Sequence, residues 1–340
     1  MALNKRSQRK SGIDDDMFNI LMVIMIALII VVTITAVYLV IIGTTPPADE
    51  SDNNVSTSVG DYPFKTEISV TVPQSDDDTK LIDKDDVSSE FMTLIDVTDG
   101  KVIASRKSSE VMYPASMTKV MTLIVIVENL KSEAELEQVL TISHEYNGNS
   151  GYGFKVGEKL TVEDLLYAAI LQSDGVACLA LAEHIAGSET EFVKLMNAKA
   201  TEMGLKNTLF QNCTGLHHVY HYTTCNDMAA IMAYAMKNPL CAKVLTAIKY
   251  NPSDNFRKGE GCTFWHTLLH NRLADKAIQP NSAEIVGGKT GLTEKDSSGY
   301  CVVAYAKGKD GHYYVSVTAK AEGWDANISD VIYVFNTYVE

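Results

Sequence analysis

The sequence predicts an α/β fold of the α+β kind: an antiparallel sheet from both ends of one domain, an inserted helical lobe, and one transmembrane helix ahead of them. Three observations carry this expectation. Strand-like stretches lie at residues 90–106 and again at 299–320 of the 340-residue chain. Between them apolar residues recur at helical spacing. Residues 18–43 form an almost unbroken apolar run.

That run, FNILMVIMIALIIVVTITAVYLVIIG, would reach about 39 Å as a helix, enough to cross a hydrocarbon core of about 30 Å with some tilt. Lys5, Arg6, Arg9 and Lys10 precede it and hold the N-terminus in the cytoplasm by the positive-inside rule, in which Asp14 to Asp16 weigh little. A cleaved signal peptide is the competing reading. Its apolar region usually has only about 7–15 residues and an A-x-A-like exit, whereas this run leaves through Gly43-Thr44-Thr45-Pro46-Pro47. The expectation is a single-pass protein of the cell membrane, with a cytoplasmic tail at 1–17, an anchor at 18–43, an acidic flexible stalk at 44–86 and an extracytoplasmic domain at 87–340. The stalk carries runs such as Asp76-Asp77-Asp78 and too few large apolar side chains to offset its ordering entropy. Residues 65–73 (KTEISVTVP) alternate within it and leave a short strand open.

In the folded region, 90–96 and 101–106 read as hairpin strands around Thr98-Asp99-Gly100. A helix follows Pro114 over 116–129, with Met117, Val120, Met121, Ile124 and Val127 on one face. Thr161 and Asp164 have the capping-box pattern that opens the next helix. Another helix spans 175–186, and Ser188 with Glu191 opens a third that Gly204 closes. Segments 224–237 and 240–248 are helical. Strands at 299–307 and 312–320 flank the hairpin signal Lys309-Asp310-Gly311, and 328–338 forms a closing helix.

Apolar residues make up 46% of the chain, enough for a full core. A net charge of −14 argues against nucleic acid as a partner, since its phosphates would be repelled. Of the six cysteines, Cys178 in a helical run and Cys301 in a strand run read as small buried hydrophobes. Only Cys213 and Cys225 flank one loop closely enough to pair. His217, His218 and His221 fall in a Gly-containing loop, and His266 and His270 lack the carboxylate of an H-E-x-x-H helix. No metal and no other cofactor is assigned. Trp265 and Trp324 read as packing residues.

The chemistry-bearing residues fall in three groups: Ser116-Met117-Thr118-Lys119, Ser173-Asp174-Gly175 and Lys289-Thr290-Gly291. Ser116 and Lys119, three apart at the start of a helix, share one face with their Cβ atoms about 5–6 Å apart. A serine hydroxyl is a poor nucleophile until a base takes its proton. Lysine can be that base only if burial or a neighbouring cation lowers its pKa, and Lys289 is the candidate cation. The helix N-terminus adds N–H groups and a positive dipole end for a developing oxyanion. Spacing alone decides little, because Ser7-Gln8-Arg9-Lys10 repeats the S-x-x-K pattern in the tail with no fold around it. Setting decides more: Ser116 opens a helix, Ser173 lies between two, and Lys289 precedes a hairpin.

Residues 113–122 (YPASMTKVMT), 165–171 (LLYAAIL), 182–187 (AEHIAG), 221–224 (HYTT) and 288–293 (GKTGLT) resemble the D-alanyl-D-alanine carboxypeptidases, the low-molecular-mass penicillin-binding proteins of the peptidase S11 family. The resemblance covers about residues 90–340. It implies a β-lactamase/transpeptidase-like fold and a serine-type hydrolase that acts on peptidoglycan stem peptides ending in D-Ala-D-Ala, with β-lactam antibiotics as covalent inhibitors. It implies Ser116 as the acyl-ester nucleophile, Lys119 as its general base and Ser173 as the proton relay to the leaving D-alanine. Lys289 and Thr290, in the segment that continues through Gly291, would hold the terminal carboxylate. Backbone N–H groups of Ser116 and Leu292 would form the oxyanion hole.

The chain departs from the family pattern at Gly175, where the middle motif usually has Asn. Losing one such buried contact costs about 1–3 kcal/mol, a roughly ten- to hundredfold slower reaction. Members often place an Arg after the last hairpin; no Arg follows Arg272 here, which leaves Lys289 to carry that charge alone. The β-rich C-terminal domain and C-terminal membrane helix of some members have no counterpart in the sequence, and the N-terminal segment takes the anchor's place. Two other readings stay open. A β-lactamase would need a Glu-x-x-Leu-Asn loop, and no such string occurs. A degenerate homologue would bind cell-wall peptide or a partner without turnover, as Gly175 and the missing Arg allow. An endopeptidase fits less well, because a pocket around Lys289 selects a free carboxylate.

Overall fold

The computed structural model describes residues 71–143, 145, 151–257, 261–274, 278–294 and 297–340. The expected tail and anchor, and the stalk as far as residue 70, lie outside the described residues. Among the described residues, no helix is long and apolar enough to cross a membrane.

The chain opens with β1 (Lys80–Leu81), β2 (Phe91–Asp96) and β3 (Lys101–Arg106), then a 3-10 turn over Ala115–Thr118 that leads into α1 (Lys119–Asn129). The helical middle follows: β4 (Val139–Thr141), β5 (Lys159–Thr161), α2 (Val162–Leu171), α3 (Gly175–Ala186), α4 (Glu189–Glu202), α5 (Cys225–Lys237) and α6 (Pro239–Leu245). Two short strands, β6 (Lys249–Tyr250) and β7 (Phe264–Trp265), precede β8 (Ala283–Leu292), β9 (Tyr300–Gly308), β10 (Tyr313–Ala321) and α7 (Trp324–Tyr338).

The main sheet has the order β1-β3-β2-β10-β9-β8, so strands from both ends of the domain meet in its middle. There β10 runs antiparallel to β2, with Tyr314 opposite Asp96 and Ala319 opposite Phe91. One edge corrects the expectation of a purely antiparallel sheet. β1 lies parallel to β3, with Lys80 opposite Ala104, and the sheet is mixed. Ile82, just after it, is buried in the core. The packed unit therefore takes in residues that composition assigned to the stalk. A sheet edge needs only backbone pairing and one anchoring side chain, which an acidic average conceals.

Period-two alternation sorts the sheet's side chains between two cores. Cys301, Val303, Val315 and Val317 face the larger core, which α1 to α6 complete. Val302, Ala304, Ala306 and Tyr314 face a smaller one, closed by Ile328, Val331, Val334 and Phe335 of α7. Capping sets the helix starts: Thr161 and Asp164 form the full capping box, and Ser188 accepts from the Glu191 N–H. Gly204, at φ 72°, follows the last turn of α4 in the left-handed conformation a C′ residue takes. The closing helix begins at Trp324 rather than at 328. The pairing of Cys213 with Cys225 is not formed. All six cysteines are free thiols, and Cys213 turns its sulfur towards Glu189 Oε1 at 3.3 Å.

Candidate active site

Ser116 does not open an α-helix, as its spacing with Lys119 predicts; it sits in the 3-10 turn, and α1 begins at Lys119. Ala115, before it, holds a left-handed φ of 46°. The tighter turn still brings the two side chains together, with Lys119 Nζ donating to Ser116 Oγ at 2.9 Å. The same nitrogen donates to the Thr214 carbonyl at 2.6 Å. That carbonyl is presented by a turn built on Asn212, whose Oδ1 accepts from the N–H groups of Thr214, Gly215 and Leu216. Behind the turn, His221 Nδ1 accepts from Gln211 N. This leaves the proton on Nε2, which faces Thr118 Oγ1 at 2.8 Å.

Lys119 is 1% exposed, and burial holds its pKa below the ordinary lysine value, opposed by the nearby Cys178, Cys213 and Asp174. Burial, and not Lys289, is thus the main cause. Lys289 is held well below the ordinary value, first by burial and then by the charge of Lys119. Its Nζ donates to Ser173 Oγ at 3.0 Å and to the Thr290 carbonyl at 2.9 Å.

Ser173 occupies the corner between α2 and α3 with φ 56°, a left-handed conformation uncommon outside glycine. Asp174 makes that corner rigid: its carboxylate caps α3 through Ala177 N at 2.8 Å and accepts from Tyr152 N at 2.7 Å. Gly175 is the first residue of α3 and is buried.

Lys289 follows a bulge in β8 between Ile285 and Gly287. At Gly288 (φ 156°) a Cβ would lie 2.5 Å from the Val303 carbonyl oxygen and 2.6 Å from Leu268 Cδ2, so only glycine lets β8 approach β9 there. Ser116, Ser173, Thr290, Gly291 and Leu292 line one cavity of about 220 Å³, with both lysines buried beneath. A cavity of about 260 Å³ beside Ile95 and Ala233 is lined by none of the three motifs.

One cleft thus holds a serine–lysine pair, a second serine tied to a second lysine and a strand edge. Residues 78–323 match the family model for D-alanyl-D-alanine carboxypeptidase (peptidase S11). The chain belongs to the D-alanyl-D-alanine carboxypeptidase family. Among curated relatives it is 40% identical over 217 residues to D-alanyl-D-alanine carboxypeptidase DacF of Bacillus subtilis, covering 63% of this chain and 53% of that one. D-alanyl-D-alanine carboxypeptidase DacC of Escherichia coli is 35% identical over 236 residues, covering 67% and 55%. The chain thus spans about half the length of these relatives. The DD-transpeptidase of Streptomyces K15 superposes with a TM-score of 0.65 at 26% identity, covering 75% of this chain and 98% of that one. Penicillin binding protein 5 from Haemophilus influenzae gives 0.64 at 25%, covering 75% and 72%. Both carry the α/β fold with a mixed sheet and helices seen here.

Several residues that line this cavity escape sequence reading, Arg272 and Trp324 among them. Arg272 lines the same cavity although it precedes Lys289 in the chain. Trp324, expected only to pack, also lines it, with the Arg272 guanidinium carbon 4.6 Å from its ring centroid. No spacing rule links positions 272 and 324, and only the fold joins them. His266 closes a turn: its Nδ1 accepts from Leu268 N at 3.1 Å and Leu269 N at 3.3 Å.

Proposed function

We propose that the chain is an exported serine D-alanyl-D-alanine carboxypeptidase that removes the terminal D-alanine from peptidoglycan stem peptides through an acyl-enzyme on Ser116. The observation that carries this reading is the 2.9 Å contact between Lys119 Nζ and Ser116 Oγ, made by a lysine whose burial disfavours its charged form. Neutral Lys119 takes the hydroxyl proton as Ser116 Oγ bonds to the carbonyl carbon of the penultimate residue. Backbone N–H groups of Ser116 and Leu292 receive the oxyanion. The C–N bond then breaks, and the leaving amine takes a proton through the Ser173 hydroxyl. Water adds to the ester, gives its proton to Lys119, and Ser116 leaves with its hydroxyl restored.

The apolar run at 18–43 and the basic residues before it support a membrane anchor with a cytoplasmic N-terminus and the folded domain outside. β-Lactams would acylate the same serine. The intact Ser116–Lys119 contact weighs against a homologue without turnover, and Gly175 is then a slowing feature rather than a disabling one. The test incubates the full chain in detergent with a fluorescent penicillin and with a pentapeptide ending in D-Ala-D-Ala. Covalent labelling that disappears in Ser116→Ala, with release of one D-alanine per peptide, is the expected result. No labelling would sink the acyl-enzyme account. Labelling without release would favour the non-turnover homologue, and fast penicillin turnover a β-lactamase.

A further inference from the structure

We propose that Asp96, Asp99 and His312 form a binding site for a divalent transition cation such as zinc, remote from the catalytic cleft. The ion would clamp two hairpin turns, one from each end of the domain, and the site needs nothing from the chemistry at Ser116.

The three residues meet only in the fold. β10 runs antiparallel to β2 with Tyr314 opposite Asp96, so the β2–β3 and β9–β10 turns lie side by side at one end of the sheet. His312, just before β10, reaches a residue 216 positions earlier: its Nδ1 donates to Asp96 Oδ2 at 2.7 Å. Asp99 completes the group, and one ligand atom from each residue lies within 4.8 Å of the other two. None of the three lines the cavity that holds Ser116, Ser173 and Thr290.

Acidic side chains alone are ordinary on a chain of net charge −14. Here an imidazole stands among them, and the central carboxylate, Asp96, is only 5% exposed. Imidazole with carboxylates suits zinc, whereas an all-oxygen set would suit calcium or magnesium. Zinc bonds of about 2.0–2.1 Å set tetrahedral ligand atoms about 3.3 Å apart. Asp96 and His312 therefore need to part slightly, and the exposed Asp99 to swing in. The cation would displace the proton between Nδ1 and Oδ2, leaving the ring's N–H on Nε2 and a water in the fourth position.

The frame around these ligands is already set. Asp96 Oδ1 accepts from Thr98 N at 2.8 Å and Asp99 N at 3.1 Å, which leaves Oδ2 to the ion. Tyr313 N donates to Thr98 Oγ1 at 2.9 Å and Val97 N to the Tyr313 carbonyl at 2.9 Å, tying one turn to the other. His312 N donates to Asp310 Oδ1 at 3.0 Å and so fixes the backbone that carries the ring. Outer partners of this kind hold metal ligands in place.

The experiment titrates zinc into the full chain in detergent, stripped with a chelator that is then removed. Equilibrium dialysis reads bound metal and thermal unfolding reads stability. One zinc per chain is expected, with the midpoint raised by about 5–11 °C at about a hundred times the measured Kd. His312→Gln and Asp99→Asn should each weaken binding at least about tenfold and remove most of that rise. Both side chains reach the surface, so without zinc both variants should keep penicillin labelling within about twofold of wild type. Cobalt in place of zinc should give ligand-field bands without the charge-transfer absorption of a thiolate. Absence of bound zinc, zinc that both variants hold as tightly as wild type, or thiolate bands would each overturn the proposal. Should a variant fail to fold, the wild type decides: zinc should protect His312 from diethyl pyrocarbonate, and an unprotected His312 would overturn the site.

Discussion

One added methyl group at Gly291 should test how closely β8 and the nucleophile turn depend on each other. A Cβ there would lie 2.6 Å from Cys301 Sγ and 3.1 Å from both Ala115 Cβ and the Pro114 carbonyl oxygen. Ordinary non-bonded carbon contacts fall at about 3.5–4.0 Å, so all three neighbours must give way. Overpacking of this kind costs about 1–3 kcal/mol, and at about 2–4 °C per kcal/mol for a domain of this size the thermal midpoint of Gly291→Ala should fall by about 2–12 °C. The rate should suffer more, because Ala115 adjoins Ser116 and a displacement near 1 Å can cost about a hundredfold. Removing the sulfur separates the two effects. In a double-mutant cycle with Cys301→Ala, stability should recover with a favourable coupling above about 0.5 kcal/mol. D-Alanine release should stay low, since the Ala115 and Pro114 contacts remain. Thermal unfolding and release kinetics on the four variants check this. Additive stabilities, or a Gly291→Ala chain with wild-type midpoint and rate, would refute the steric account.

Further outcomes follow from three buried ionisable groups, Lys119, Lys289 and His221. Acylation by a fluorescent penicillin should rise with pH along a limb set by Lys119 and level off below the ordinary lysine value of about 10.5, because burial favours the neutral amine. Lys119→Arg, which keeps its proton, should slow acylation about 10²–10⁴-fold. Lys289→Met should raise the unfolding midpoint while release is lost. The native pKa of Lys289 lies below its unfolded value, so the unfolded chain binds more protons in between. The penalty is therefore full below the native pKa and fades as pH rises to the unfolded one, and the gain in midpoint should shrink with rising pH. His221 is pushed down to about 3 by burial, so stability should fall as pH drops from about 6.5 towards that value. In urea titrations His221→Gln should lessen the acid slope by about 1.4 kcal/mol per pH unit, and an unchanged slope would count against a neutral buried ring.

Much of this architecture could be read from the chain because local chemistry encodes it. Thr161 with Asp164 caps α2 as the pattern requires, and the Lys309-Asp310-Gly311 signal joins two strands in register. The meeting of β2 with β10 followed from β-rich stretches at both ends and a helical middle. The three motifs told which serines and lysines to look for, but not how they are held. Thr214 accepts from a lysine 95 residues earlier in the chain, and Arg272 rests on Trp324. Such contacts arise from tertiary closure and leave no periodic trace. The parallel edge strand was hidden for another reason: β1 has only two residues, set in an acidic stretch. The spacing of Ser116 and Lys119 fits a helix and the observed 3-10 turn alike, because i, i+3 side chains fall on one side in either geometry.

The left-handed corner at Ser173 bears on what Gly175 takes away. Its hydroxyl is aimed by the backbone, by the cap that Asp174 makes on α3 and by the bond from Lys289. None of these three supports uses a side chain at position 175. An amide missing there is subtracted from the bound complex, while the resting arrangement of hydroxyls and amines stands without it. Under the proposed function the deficit falls on the hold upon the bound peptide, and a ligand that brings its own extra contacts would offset it.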